Sequence, residues 1–305
     1  MMEVENFTKT YHYNSRPAVD NITFKVCNGE IVGFAGLNGA GKTTTMEAMA
    51  GIILPSSGSV IIDGHDIVKD KVAASSGIGW MPEFPTFDPQ SRPIPLLRYY
   101  AGFYAIKGKK ANDLAYKLLH DVGLEEYTLK KVKTFSQGMK KRFSLASAML
   151  SNPGNFLFDE SLNGLDPEGI ELIKKFMTTF KNEKKAVFLS SHILPELEIL
   201  VDRLIIIHRG VIIETLTKDS IKTLGKPVIR IKLSGADEKV VRILSEFGKI
   251  MVNGDDITIT DLKSGPSSAK YVNAELIKNG YLVSQFNVLG QSLEEHFSQL
   301  MNDNS

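Results

Sequence analysis

Residues 36–43 read Gly-Leu-Asn-Gly-Ala-Gly-Lys-Thr, and the reading of this stretch decides the fold. The spacing G-x-x-x-x-G-K-[ST] is that of a loop that closes around a polyphosphate. Gly36, Gly39 and Gly41 let backbone N–H groups turn inward. Lys42 places a point charge against the β- and γ-phosphates, and the Thr43 hydroxyl can hold Mg²⁺. Just upstream, Ile31-Val32-Gly33-Phe34-Ala35 is an apolar run that reads as a buried strand. Thr44 to Gly51 reads as a helix whose N-terminus faces the phosphates. A chance glycine turn would need neither the strand before it nor the helix after it. The loop alone implies an α/β fold and a nucleoside triphosphate.

Three further segments narrow the reading. Asn155-Phe-Leu-Phe-Asp-Glu160 has three apolar residues and then two carboxylates, a strand buried on both faces with acids at its carboxyl end, where open α/β sheets bind ligands. Asp159 there can hold Mg²⁺, directly or through water. Glu160 can orient or deprotonate an attacking water. The plain alternative is two solvated acids closing a strand. Ser136 precedes the apolar stretch Met139 to Leu150 and reads as an N-cap; with Gly138 beside it, the helix start is also an anion site. An ordinary cap is the alternative. Ser190-Ser191-His192 follows the apolar run Ala186–Leu189, so His192 sits at a strand end where it can meet a γ-phosphate or serve structure alone.

In this order the segments resemble the ATPase subunit of an ATP-binding-cassette (ABC) transporter, over the first 220 residues or so. The resemblance implies a P-loop NTPase domain with an antiparallel β subdomain and a helical subdomain. It makes 36–44 the Walker A loop, with Asn38, Ala40 and Thr44 joining the glycines, Lys42 and Thr43 in holding ATP. Tyr11 falls where the family stacks an aromatic on adenine. Glu83, in Gly79-Trp-Met-Pro-Glu83, stands at the Q-loop, where it implies a contact with Mg²⁺ beside Thr43 and Asp159. Ser136–Met139 is the signature, and Asn163-Gly-Leu-Asp-Pro167 looks like the D-loop. Glu160, His192 and Lys42 are the expected catalytic residues. Ser190 to Glu198 and Asp202 to Gly210 are typical of the subgroup that serves ABC-2-type permeases.

The departures are as informative. Of Leu-Ser-Gly-Gly-Gln, this chain has Phe135, Gln137 and Met139 in place of Leu, the first Gly and Gln, and keeps Ser136 and Gly138. The Q-loop glutamine is Glu83, and an ionised carboxylate cannot donate a hydrogen bond. Pro93 and Pro95 open the helical stretch that in relatives meets the membrane partner. Ser161 stands where Pro often follows Glu160.

The 305 residues suit two domains, and a formal charge of +1 leaves no nucleic-acid footprint. The single cysteine, Cys27, excludes an internal disulfide and fits a reducing compartment. Neither a signal-peptide core nor a run of about 18 apolar residues is present. The expectation is therefore a cytoplasmic protein, peripheral on the inner face of the cell membrane, that docks on a separate permease chain. Two copies would form a homodimer on binding ATP, and the subgroup resemblance implies export. A soluble ABC-type ATPase acting on a protein or assembly partner is the alternative. An unrelated P-loop kinase or GTPase is opposed by the 136–138 and 190–192 segments, and no guanine-reading Asn-Lys-x-Asp occurs.

Ile22–Val26 alternates like an edge strand. Buried strands are expected at 31–35, 77–81, 156–159, 186–190 and 204–208, and a helical subdomain over about 84–151. The run Lys130, Lys131, Lys133, Lys140, Lys141, Arg142 reads as a solvated basic face. Gly225-Lys-Pro227 marks a boundary between a 1–224 ATPase domain and a small 225–305 domain. In the latter, strands at 228–233, 249–252, 256–260 and 281–287 and helices at 238–247, 269–278 and 292–301 give the order βαββαβ, a ferredoxin-like α+β fold. Asn253-Gly254 is the hairpin signal. No convergent acids, His or Cys lie there, so its role is read as regulatory or dimer-supporting.

Overall fold

The computed structural model describes residues 1–11, 16–223, 228–233, 237–263, 268–289 and 293–303. The chain divides into two compact units, Met1–Leu216 and Thr217–Ser305. The expected boundary segment 225–227 lies outside the described residues, as does Ser292.

The first unit holds two sheets. One is antiparallel in its ladders, ordered β2 (Val19–Val26), β1 (Met2–Lys9), β4 (Ser57–Ile62), β5 (His65–Asp66). The alternation at Ile22–Val26 thus belongs to a strand at the sheet edge, with Ile22, Phe24 and Val26 turned inward. The second sheet is ordered β10 (Val211–Thr217), β9 (Arg203–His208), β3 (Ile31–Ala35), β8 (Ala186–Ser190), β7 (Asn155–Asp159), β6 (Ile78–Met81). From β9 to β6 the neighbours run parallel. Every residue of β3, β7 and β8 is buried, as strands covered on both faces require. Phe24, Phe34 and Phe188 bridge the sheets with ring centroids 5.1–5.9 Å apart.

Helices α1 (Lys42–Met49) and α2 (Lys71–Ser76) follow β3 and β5. Between β6 and β7 lie α3 (Pro93–Phe103), α4 (Gly108–Asp121) and α5 (Gln137–Ala148). Pro93 is the first helical residue of α3. A proline is cheap there and at Pro95, because first-turn N–H groups have no partner inside the helix. After β7 comes α6 (Pro167–Asn182), capped by Asp166, whose Oδ1 accepts from Gly169 N at 3.0 Å. Phe180 of α6 stacks on Phe156 of β7 at 3.8 Å. The short α7 (Leu194–Leu200) follows β8.

The second unit contains α8 (Lys218–Thr223), β11 (Val228–Leu233), α9 (Glu238–Ser245), β12 (Lys249–Asn253), β13 (Asp256–Thr260), α10 (Ser268–Lys278), β14 (Val283–Leu289) and α11 (Leu293–Asp303). Its sheet is antiparallel, ordered β12-β13-β11-β14. Ile229, Ile231, Val240, Leu244, Ile257, Ile259, Val272 and Leu276 form its own core. Because Asn253 pairs with Asp256, the hairpin loop is Gly254-Asp255, one residue later than Asn253-Gly254.

Candidate functional site

The loop between β3 and α1 is tight. Gly41 has φ +107, and a Cβ there would stand 2.7 Å from the Ala18 carbonyl oxygen; one on Gly36 would stand 2.5 Å from the Ile207 oxygen. No other residue fits either place. Helix α1 starts at Lys42, two residues before the expected Thr44, so the first-turn N–H groups open on the loop. Lys42 is 6% exposed. Its Nζ donates to the carbonyls of Gly36 at 2.7 Å and Leu37 at 3.3 Å, and lies 3.4 Å from Glu160 Oε1.

The two acids at the end of β7 are held differently. Asp159 Oδ1 accepts from Ser190 Oγ at 2.6 Å, which the pairing of β7 with β8 dictates, since Asp159 and Ser190 are register partners. Burial pushes the Asp159 carboxyl above the usual range, against hydrogen bonds from the Ser190 and Thr43 hydroxyls. Glu160 has φ +42, a region that non-glycine residues seldom occupy. Its N–H donates to Ser190 Oγ at 3.0 Å. Its Oε2 accepts from Asn163 Nδ2 at 2.9 Å and from the His192 N–H at 3.3 Å, and meets His192 Nδ1 at 2.9 Å. With the carboxylate ionised, that last contact places the ring proton on Nδ1.

A cleft of about 500 Å³ is lined by Asn38, Gly39, Gly41, Lys42, Thr43, Thr44, Glu83, Glu160 and His192, with Ala18. Burial raises the Glu83 carboxyl, and the charges of Asp159 and Glu160 raise it further. Tyr11 is half exposed, with its hydroxyl 3.3 Å from Thr44 Oγ1. The oxygens of Thr43, Asp159 and Glu83 are the donor type that Mg²⁺ takes. Among the described residues no group of three or more His, Cys, Asp or Glu gathers around a metal position. Mg²⁺ commonly binds through one or two carboxylates plus substrate phosphates, so the donor set fits that ion and a phosphate ligand together.

Ser136 and Gly138 are not brought to this cleft. Ser136 caps α5 and accepts from Met139 N at 3.1 Å. The helix therefore begins at Gln137, earlier than Met139. With Gly138, Arg142, Gly164 and Asp166, Ser136 lines a second cleft of about 390 Å³.

The reading of Lys141 as part of a solvated face is corrected. It is 1% exposed, and its Nζ donates to the carbonyls of Glu160, Ser161 and Asn163. Buried on a helix facing the turn after β7, it answers carbonyls, which no count of surface charge reveals. Asn163 and Ser190 also went unassigned from sequence. The signal for Ser190 is strand pairing; for Asn163 it is the place at the start of the D-loop segment, three residues after Glu160.

The sequence profile described as "ABC transporter" matches residues 19–163. The chain is 34% identical to the bacitracin transport ATP-binding protein BcrA of Bacillus licheniformis, over 96% of its own length and 95% of the relative's. The chain belongs to the ATP-binding subunits of ABC transporters. It is also 29% identical to the linearmycin resistance ATP-binding protein LnrL of Bacillus subtilis, over 86% of this chain and 83% of that one. A solved ATP-binding subunit of an ABC transporter superposes with TM-score 0.67 at 29% identity, covering 73% of this chain and 92% of that chain. As an ABC ATPase the chain binds and hydrolyses ATP in the service of transport. Among the described residues no helix is long and apolar enough to cross a membrane.

Proposed function

We propose that two copies of this chain close head-to-tail around two ATP molecules at the cytoplasmic face of the membrane, and that the closing and reopening drive a separate ABC-2-type permease in export. The observation that carries this reading is the separation of two clefts. The phosphate loop, Glu160 and His192 share one, while Ser136 and Gly138 line another. A second copy is needed to bring a signature segment to a bound γ-phosphate.

In this reading Tyr11 stacks on adenine, and Asn38, Gly39, Ala40, Gly41 and Thr44 wrap the phosphates. Lys42 leaves the carbonyls of Gly36 and Leu37 for the β- and γ-phosphates. Glu160, aimed by Asn163 and His192, takes the proton of the attacking water. His192 stands beside it to contact the γ-phosphate. Thr43, Asp159 and Glu83 would hold Mg²⁺, which when bound neutralises developing phosphate charge. The permease would seat on the groove of about 280 Å³ lined by Trp80, Tyr100, Phe103 and Tyr104, beside Ala148 and Leu150. The names of the two curated relatives support a cargo of antimicrobial type and outward transport.

The test is Glu160→Gln, which keeps size and polarity but removes the base. Size-exclusion chromatography with light scattering should find a dimer with ATP and Mg²⁺ and a monomer with ADP. Adding Ser136→Arg should return the monomer. A hydrolysis-deficient Glu160→Gln chain that stays monomeric at saturating ATP would overturn the shared site.

A further inference from the structure

We propose that Lys141 is a positioning residue for Glu160: from the signature helix, its buried ammonium ties down the turn that carries the carboxylate. The inference rests on the reading that Glu160 acts on the attacking water.

An ammonium has three N–H donors and no acceptor. Lys141 Nζ finds three backbone oxygens, those of Asn163 at 2.7 Å, Glu160 at 2.9 Å and Ser161 at 3.3 Å. Its hydrogen-bonding capacity is thus met by one turn of chain. That turn carries the Glu160 backbone at φ +42, and it closes on itself through Asn163 N to Glu160 O at 3.2 Å. Carbonyl dipoles converging on one point repel each other, and a residue at positive φ relaxes when its surroundings allow it. A central cation removes both tendencies. Burial lowers the Lys141 pKa, and the charges of Glu83, Glu160 and Asp159 offset that only in part.

The same side chain anchors the turn to α5, the helix that Ser136 caps. Arg142, the next residue, reaches Asp166 at 3.5 Å. Lys141 therefore makes the only contacts among these two that bear on the Glu160 backbone. Losing them lets the carboxylate drift from Lys42, now 3.4 Å away, and from His192 at 2.9 Å. The phosphate loop does not touch Lys141 through any of these bonds, so ATP binding should hold while the chemical step slows.

Lys141→Met keeps length and removes the donors. In steady-state ATPase assays kcat should fall about tenfold or more, because small displacements of a catalytic group are costly. The KM for ATP should stay within about twofold of wild type, since the loss lies in the transition state alone. Lys141→Gln, with two N–H donors, should fall between. In single-turnover assays Lys141→Met should add no further loss to Glu160→Gln, because Lys141 acts through that carboxylate. Wild-type kcat in Lys141→Met, a loss confined to KM, or losses that multiply in the double variant would overturn the proposal. Should Lys141→Met fail to fold by circular dichroism, Lys141→Gln is judged by the same criteria. Failure of the underlying reading appears elsewhere, as undiminished turnover in Glu160→Gln alone.

Discussion

At the scale of single residues, the phosphate cleft sets one lysine, Lys42, against the carboxylates of Glu83 and Glu160. Lys42 is its buried cation on the loop side, 3.4 Å from Glu160. Lys42→Ala should lower hydrolysis by about 10²-fold or more, as loss of a group that stabilises transition-state charge does, and should weaken ATP binding in the same nucleotide titration. Normal turnover in the purified variant would show the loop to be ornamental. Glu83 carries the opposite expectation. Its carboxylate lines the cleft beside Asp159 and Glu160 and repels a polyphosphate whenever no cation stands between them. Without Mg²⁺, Glu83→Gln should bind ATP several-fold more tightly, about 1 kcal/mol at the effective dielectric of a partly buried pair. With Mg²⁺ the advantage should shrink or reverse. Fluorescent-nucleotide titrations in EDTA and in Mg²⁺ give both numbers, and equal affinities in EDTA would place Glu83 outside the field of the phosphates.

At the scale of elements, the cap of helix α5 has one job in the fold and a second in the proposed dimer, and substitution separates them. Ser136→Ala removes the acceptor of Met139 N and should cost about 1 kcal/mol of stability, a fall in Tm of about 2–4 °C for a unit of this size. Ser136→Asp keeps a capping oxygen and should keep the Tm, yet it puts a carboxylate where a partner's phosphate would come. Differential scanning calorimetry and light scattering should therefore disagree about the two variants: Ala melts lower, and Asp fails to form the ATP dimer in the Glu160→Gln background.

Elements also show why the chain was readable in some places and not in others. The central strands of the parallel sheet were legible because each is a nearly unbroken apolar run, as at Ala186–Leu189, and burial on both faces leaves no other use for such a run. Ser136 was legible because a cap is a local bond, between residues three apart. Lys141 was not, because its partners lie 19 to 22 positions away and in sequence it is one of a run of basic residues. Motif order assigns His192 and Glu160 to one site, but their contact across 32 positions is encoded in no local pattern. The hairpin slipped by one residue because a glycine can serve either loop position, and the ladder between β12 and β13 makes the choice.

At the scale of the molecule, the second unit has its own buried core and its own sheet. We expect a chain ending at Thr223 to remain soluble, to melt cooperatively and to bind ATP with the affinity of the full chain. Aggregation on truncation, or loss of nucleotide binding, would mean that the two units depend on one another to fold.

The two clefts of the first unit have a genetic consequence. A chain with Lys42→Ala has a spoiled loop and a sound signature; one with Ser136→Arg has the reverse. In the proposed head-to-tail dimer, either variant paired with itself would put one defect in both sites. Mixed, they also form a hybrid in which both defects fall in one site and the other is whole. Random pairing makes half the dimers hybrids, so two dead proteins should together regain about a quarter of wild-type turnover if the sites fire independently. In a cell, two loss-of-function alleles of this kind would complement each other, whereas two alleles within the same cleft would not.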